Sequence, residues 1–159
     1  MGPMQVMDVG SMALGMDPAG AVFGLWQKDT FGGIEAFGKA GAPCWFDHQS
    51  DAPASARDFY TKVFGLGFNN VSEDGQGMVM SGDAQLASIS KQPEAGMPPS
   101  WNPVVAVSTV DATEARAVSL GATVLMSRMP VPGGIASAFA APGTGTQILV
   151  FESPDLPSS

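Results

Sequence analysis

The sequence contains few of the side chains on which many enzymes depend. Its 159 residues include one cysteine, Cys44, and one histidine, His48. A single cysteine excludes an intrachain disulfide and is typical of a reduced, cytoplasmic setting. A Ser-His-Asp or Cys-His catalytic arrangement would have to use His48, because there is no other imidazole. We expect Cys44 to be an inert, buried thiol, since no basic residue near it in the sequence would lower its pKa.

Positive charge is also scarce. Seven Lys and Arg residues stand against fifteen Asp and Glu, which gives a formal net charge of -8, and no basic cluster occurs. Nucleic acids and anionic membranes attract proteins through concentrated positive charge, so we expect neither as a partner. No run of about 18 apolar residues is present, so a membrane span is not expected either. The composition of 45% hydrophobic and 14% charged residues indicates a globular chain.

Two amphipathic segments predict helices. The first begins after Asp51, which would cap it, and ends at Gly65, a natural C-terminal stop. The second has Asp111 as its cap, Glu114 at capping-box spacing, and Gly121 at its end. The apolar face of the first segment, with helical spacing, comprises Ala56, Phe59, Tyr60, Val63 and Phe64.

The strand pattern repeats around these helices. Each helix follows one apolar segment and precedes three, so the order β-α-β-β-β occurs twice, over about residues 43–91 and 101–152. Gly82-Asp83 lies between two of the segments and predicts a hairpin turn. The pattern therefore predicts an α+β fold.

The N-terminal segment resembles the last strands of the second unit. Setting Pro18 on Pro142 brings Gly10 onto Gly134 and aligns two apolar strands in each segment. We interpret residues 1–27 as the terminal β-hairpin of an incomplete upstream unit, followed by a Gly-rich linker over 28–42. Residues 43–153 would then form a complete domain, and residues 154–159 a flexible tail.

Three motifs point to a known family. The spacing W-x(13)-F-Y-x-x-V-F-G, from Trp45 to Gly65, occurs together with "MPPSWNPVVAV" and "DPAGAVFGLWQ". With these motifs the chain resembles the vicinal oxygen chelate superfamily, which includes glyoxalase I, bleomycin-resistance proteins and extradiol dioxygenases, and above all its tandem-domain members. The resemblance implies paired β-α-β-β-β units that form a cupped mixed sheet with two flanking helices around a small-molecule site.

The same resemblance locates the positions at which relatives hold a metal ion. None of these positions carries a His, Asp or Glu, which a divalent metal would need. The sequence therefore predicts no metal site and no cofactor. The positions fall on Trp45, Ala87 or Ser88, Asn102, Leu149 and, in the N-terminal segment, Gly24.

Strand alternation selects candidate ligand-binding residues. The concave side would carry Trp45, Asp47 and Asn102, with Trp101 flanking, and Met78 and Met80 would share one strand face. Asp47 is the candidate general base or ligand-orienting carboxylate. These side chains could equally be part of the hydrophobic core inside the cupped sheet, and we favour that interpretation for the two methionines. His48 would face the helix side, where a core histidine with a hydrogen-bond partner is favoured over a ligand or base.

Three functions remain open from the sequence. The leading one is a metal-independent small-molecule-binding protein that sequesters a hydrophobic or aromatic metabolite or antibiotic. The alternatives are a metal-dependent lyase, isomerase or dioxygenase of the same superfamily, and a vestigial assembly module. We also expect a homodimer, with exchanged N-terminal hairpins as one arrangement, because an isolated hairpin would leave apolar surface exposed.

Overall fold

The computed structural model describes residues 2–155, so residues 156–159 of the predicted flexible tail lie outside the described part. It has the predicted α+β fold class, with two helices, a three-stranded antiparallel sheet (β1-β2-β3) and an eight-stranded mixed sheet (β5-β6-β7-β4-β8-β11-β10-β9). The elements in chain order are β1 (Met4–Val6), β2 (Gly10–Met16), β3 (Val22–Lys28), β4 (Pro43–Ser50), α1 (Pro53–Phe64), β5 (Gly67–Asn69), β6 (Gly77–Ser81), β7 (Ala84–Lys91), β8 (Ser100–Ala106), α2 (Val110–Ser119), β9 (Thr123–Val131), β10 (Gly134–Ala140) and β11 (Gln147–Glu152).

The chain divides into two compact units. Unit 1 contains the described residues up to Glu35 together with Asp47–Trp101, and unit 2 contains Ala36–Phe46 together with the described residues from Asn102 onward. The N-terminal strands are thus part of the same compact unit as the first β-α-β-β-β segment. None of the helices in the described part of the chain is long and apolar enough to cross a membrane.

Helix α1 begins one residue later than an Asp51 cap requires, so that prediction was wrong. Ala52 occupies the capping position without a side-chain bond, and Pro53 opens the helix. Proline at the first helical position needs no partner for an N–H group, which lowers the demand for a polar cap. At the other end Gly65 has the left-handed φ of 67° and donates its N–H to the Thr61 carbonyl, as the sequence predicted.

The N-terminal sheet packs on α1 through Phe23. The Phe23 ring centroid lies 5.8 Å from those of Phe59, Tyr60 and Phe64. Gly15 pairs with Phe23 across β2 and β3, and a Cβ atom on Gly15 would stand 2.6 Å from the Phe23 Cζ. The partner strand needs glycine there because the aromatic ring lies over the position.

The opposite face of this sheet is apolar and largely exposed. β1, which the sequence did not predict, adds a third strand by pairing Met4 with Met12. Met16, Val22 and Trp26 on the same face are 66%, 54% and 40% exposed. This face therefore exposes to solvent an apolar surface of the kind that usually packs against another protein surface.

In unit 2, helix α2 begins at Val110 rather than after Asp111. Thr109 is the cap, and its side chain accepts a hydrogen bond from the Ala112 amide at 3.3 Å. The predicted Asp111–Glu114 capping box is therefore wrong. Glu114 instead accepts a hydrogen bond from the buried Ser137 hydroxyl at 2.8 Å, which ties α2 to β10.

The similarity between the N-terminal segment and the end of unit 2 extends to their turns. In unit 1 the Asp17 amide donates to the Ala21 carbonyl at 2.9 Å, and in unit 2 the Ala141 amide donates to the Thr146 carbonyl at 2.8 Å. The second loop is one residue longer. Each loop joins two antiparallel strands, β2–β3 and β10–β11.

Candidate functional site

The six predicted ligand-binding residues divide between the two units. Asp47, Met78, Met80 and Trp101 belong to unit 1, whereas Trp45 and Asn102 belong to unit 2. The two sets are therefore described separately.

Asp47 is the centre of a polar cluster on unit 1. Strands β4 and β7 run parallel, with Asp47 opposite Ser88 and Gln49 opposite Ser90. Since alternate residues share a face, all four side chains lie on the same side of the sheet. Asp47 Oδ1 accepts hydrogen bonds from the hydroxyls of Ser88 at 2.6 Å and Ser90 at 2.8 Å, and Asp47 Oδ2 accepts one from the Gln49 amide at 2.9 Å.

The Asp47 carboxylate is costly to bury. Asp47 is only 9% exposed, and this burial raises the pKa of its carboxyl group. Hydrogen bonds from Ser88, Gln49 and Ser90 act in the opposite direction without cancelling the effect. Within the described residues, Asp47 forms no ion pair with a lysine or arginine. Desolvation thus dominates at this carboxyl group.

Met78 borders this cluster, and Met80 lies two residues further along the same strand. Met78 of β6 pairs directly with Ser88 of β7, which places its half-buried thioether in the row that includes Asp47. Met78, Val79 and Met80 pair in regular succession with β5, so the alternation along β6 is intact. The register shift between β6 and β7 inserts its extra residue on β7. The two methionines therefore share one face of β6.

The reverse face of β4 carries a second polar network, which is centred on the fully buried His48. His48 is 0% exposed, and its Nε2 lies 2.8 Å from Asp17 Oδ2. The Tyr60 hydroxyl donates to the same oxygen at 3.0 Å, and the Trp101 indole N–H donates to the Tyr60 oxygen at 2.8 Å. His48 is thus a core histidine with a hydrogen-bond partner on the helix side, as the sequence favoured.

This network corrects the placement of Trp101. Its ring lies 5.2 Å from that of His48 and 5.5 Å from that of Tyr60, on the side of the sheet opposite Asp47. A buried indole needs an acceptor for its N–H, and the Tyr60 oxygen supplies one. Trp101 and Asp47 are therefore not brought together on one face.

Asp17 joins its own turn to this network. Oδ1 accepts hydrogen bonds from the amides of Ala19 and Ala21, both at 2.9 Å. Because an ionised carboxylate only accepts, His48 Nε2 is assigned as the protonated nitrogen. The other ring nitrogen, Nδ1, is buried without a hydrogen-bond partner among the described residues. Nothing in the sequence showed that Asp17 reaches His48.

In unit 2, Trp45 takes part in an apolar core. Together with Cys44 it packs against a buried cluster formed by Val104, Ala138 and Leu149. The Cys44 thiol donates to the Val104 carbonyl at 3.4 Å, and burial raises its pKa. Asn102 is 6% exposed. The interpretation of Trp45 as a core residue, which the sequence left open, agrees with these contacts. Cys44 was expected to be buried but is half-buried, and its raised pKa is typical of an unreactive thiol.

The side chains do not fit the metal ion that the fold family implies. In residues 2–155 no group of three or more His, Cys, Asp and Glu side chains stands close enough to hold one. Asp47 is the carboxylate closest to the family-type positions in the sequence, and three of its lone pairs already accept hydrogen bonds from neutral side chains. Metal ions of this family require several converging carboxylate or imidazole donors.

A surface groove of about 530 Å³ lies elsewhere on unit 1. It is bordered by α1 and by β5, and its walls include Arg57, Lys62 and Phe68. None of the six predicted residues lines it.

Comparisons with known proteins define the fold and the relatives. The Mn(II)-bound glyoxalase from Novosphingobium aromaticivorans superposes with a TM-score of 0.60 at 16% identity, over 99% of this chain and 56% of that one. The chain therefore has the fold of the vicinal oxygen chelate superfamily, which confirms the resemblance that the sequence indicated. No family model matches the sequence.

Two curated relatives are more similar in sequence. The anthracycline biosynthesis protein DnrV of Streptomyces peucetius is 35% identical over 140 residues, which cover 84% of this chain and 50% of DnrV. CFP32 of Mycobacterium tuberculosis, named as a candidate glyoxylase, is 32% identical over 128 residues, which cover 79% of this chain and 49% of CFP32. The chain thus spans about half the length of the curated relatives that it matches.

Proposed function

We propose that this protein binds a small hydrophobic or aromatic molecule without a metal ion, at the sheet face around Asp47. The observation that carries the proposal is the buried Asp47 carboxylate, which Ser88, Ser90 and Gln49 hold in place on the face opposite α1. Met78 supplies an adjacent apolar surface. A small number of placed polar groups beside apolar side chains is typical of ligand sites.

The energetics of Asp47 support a role beyond folding. A buried carboxylate that lacks a cationic partner lowers the stability of the native state, and a neutral residue of the same shape would avoid that cost. Proteins commonly retain such unfavourable groups where they contact a ligand. The anthracycline biosynthesis relative supports a small molecule as that ligand, and the match to half of DnrV makes this part of the proposal.

The competing function is a metal-dependent enzyme of the same superfamily. It would require a set of carboxylate and imidazole ligands that the described residues do not bring together. Elemental analysis of the purified protein separates the two functions. A stoichiometric divalent metal that survives dialysis would contradict the proposal, whereas a metal-free protein that still binds aromatic compounds would support it.

A homodimer in a reducing, cytoplasmic setting remains part of the proposal. The exposed apolar face with Met16, Val22 and Trp26 supports self-association, and the exchange of N-terminal strands between two chains is one way to form the dimer. Light scattering at tens of micromolar protein tests it. A monomer under these conditions would count against the dimer but would not affect the ligand site.

Binding itself is tested with a thermal-shift screen against aromatic compounds, followed by calorimetry on any binder. We expect Asp47→Asn and Ser90→Ala to weaken binding by about tenfold or more, equivalent to about 1.4 kcal/mol. Asp51→Asn is the matched control, because Asp51 is an exposed acid just beyond the same strand. Equal weakening by all three variants would indicate a general effect of charge and contradict a site at Asp47.

A further inference from the structure

We infer that the Asp47 cluster recognises an aromatic hydroxyl group as a hydrogen-bond donor and rejects anionic ligands. The inference rests on the proposed function, because it names the chemistry of the molecule that the same site would take. It follows from the direction of each hydrogen bond, the charge of the cluster and the side chain beside it.

The direction of the hydrogen bonds leaves the cluster rich in acceptors. Ser88 and Ser90 each give their only hydroxyl hydrogen to Asp47 Oδ1. Ser90 has only acceptor capacity left for a ligand once it donates in this way, and a carboxylate with about four acceptor sites keeps one when three are used. The second amide hydrogen of Gln49 is the remaining donor of these side chains. A ligand therefore gains most by bringing a donor of its own.

The charge of the cluster disfavours anions. Asp47 is the only ionisable group among its four side chains, and the chain as a whole has a formal net charge of -8. A carboxylate or phosphate of a ligand would stand beside a poorly solvated negative charge, which forms no ion pair with a lysine or arginine in the described part of the chain. An ammonium group would be attracted, but it would lose its hydration at a residue that is only 9% exposed. A neutral hydroxyl avoids the repulsion that an anion meets, and it loses less hydration than an ammonium group.

The side chain beside the cluster favours an aromatic ring. Met78 lies directly across from Ser88, one strand beyond Asp47. A thioether is polarizable and adapts its shape, and it makes favourable contacts with ring edges. A ring that bears a hydroxyl could thus contact Met78 while its O–H points to Asp47 or Ser90.

A matched ligand series tests this assignment on the full chain. Calorimetry would compare 2-naphthol, 2-methoxynaphthalene, 2-naphthoate and 2-naphthylmethylammonium, which share a ring system and differ in donor and charge. We expect 2-naphthol to bind about tenfold more tightly than 2-methoxynaphthalene, because the methoxy compound cannot donate the hydrogen bond. We expect 2-naphthoate to bind least. In Ser90→Ala and Asp47→Asn the preference for 2-naphthol should shrink, while Asp51→Asn should retain it.

The outcomes separate this inference from the proposed function. If the methoxy compound or the naphthoate binds as tightly as 2-naphthol, or if the ammonium compound binds more tightly, the hydroxyl assignment is overturned while ligand binding stands. If none of the four binds, the proposed function fails together with the inference. Thermal melts of each variant show whether it is folded, and Ser90→Ala keeps the test decisive if Asp47→Asn does not fold.

Discussion

The carboxylate of Asp17 and the imidazole of His48 meet 2.8 Å apart in a fully buried pair that joins the β2–β3 turn to strand β4. The Asp17 carboxylate accepts four hydrogen bonds, each from a buried or half-buried donor. Removing one partner of such a buried pair leaves the groups that bonded to it without hydrogen bonds. This lowers the stability of the folded state far more than the loss of an exposed contact.

We therefore expect Asp17→Ala to lower the free energy of unfolding by about 3 kcal/mol or more. Urea denaturation followed by circular dichroism measures the change. Asp29→Ala is the control, since Asp29 is an exposed acid just after β3, and its effect should stay within about 0.5 kcal/mol. Equal effects of the two substitutions would show that the Asp17–His48 pair contributes little.

Tyr60 is the only tyrosine, so its ionisation can be followed directly. Burial raises the pKa of its hydroxyl strongly, the Trp101 hydrogen bond lowers it, and the charge of Asp17 raises it again. The ultraviolet absorbance of tyrosinate should therefore appear well above the ordinary pKa of about 10 and coincide with unfolding. Asp17→Asn, which removes the negative charge, should bring the titration to lower pH, and Trp101→Phe should move it upward. Titration of the folded protein near pH 10 would contradict the buried network.

Phe23 provides the main aromatic contact between the N-terminal sheet and α1. We expect Phe23→Ala to destabilise the protein by about 2 kcal/mol, below the value for a fully buried ring because Phe23 is half-buried. Leu25→Ala is the control on the same face of β3, where the side chain is 46% exposed, and it should cost less than about 1 kcal/mol. Hydrogen exchange should show faster opening of β2 and β3 in the Phe23 variant alone.

The raised pKa of Asp47 makes stability depend on pH. The folded state holds the proton of this carboxyl group more tightly than the unfolded chain does, so its ionisation removes stability as pH rises from about 3.9 through the folded pKa. The stability of Asp47→Asn relative to the unmodified protein should increase across that window, reaching about 1 kcal/mol at neutral pH. Denaturation of both proteins at a series of pH values measures it. A difference that falls with increasing pH would mean that the carboxylate is stabilised in the folded state.

Cys44 should behave as an unreactive thiol. It is half-buried and packs against the core of unit 2, and burial raises the pKa of its thiol, so the reactive thiolate is scarce at neutral pH. Reaction with a thiol reagent should be many-fold slower in the native protein than in the protein unfolded in urea. A native rate close to the unfolded rate would indicate an activated or exposed cysteine.

The sequence predicted those features that depend on local pattern. The order of strands and helices, the glycine stop of α1 and the hairpin turn at Gly82-Asp83 all follow from periodicity and turn chemistry, and all are present. The assignment of Asp47 and His48 to opposite faces of β4 also followed from alternation alone. The predicted cap of α2, Asp111, was wrong. Thr109 and Asp111 are both acceptable capping residues, and only the direction in which the chain enters the helix from β8 selects Thr109.

Features that depend on contacts distant in sequence could not be predicted. Asp17 and Tyr60 are 43 residues apart, and no spacing rule connects a turn carboxylate with a helix hydroxyl. Trp101 was expected to flank the concave side, but its indole hydrogen bond to Tyr60 places it on the helix side. Ser88 and Ser90 became part of the site only when the parallel register of β4 and β7 set them opposite Asp47 and Gln49.

The close approach of Phe23 to Gly15 has a consequence for how this sequence can change over generations. No side chain fits at position 15 while the ring is in place, since even a methyl group would stand 2.6 Å from it. A substitution of Gly15 becomes acceptable only after Phe23 has been replaced by a smaller residue, and that replacement weakens the packing on α1. The order of the two mutations is therefore fixed, and homologues that carry a large aromatic residue at position 23 should carry glycine at position 15.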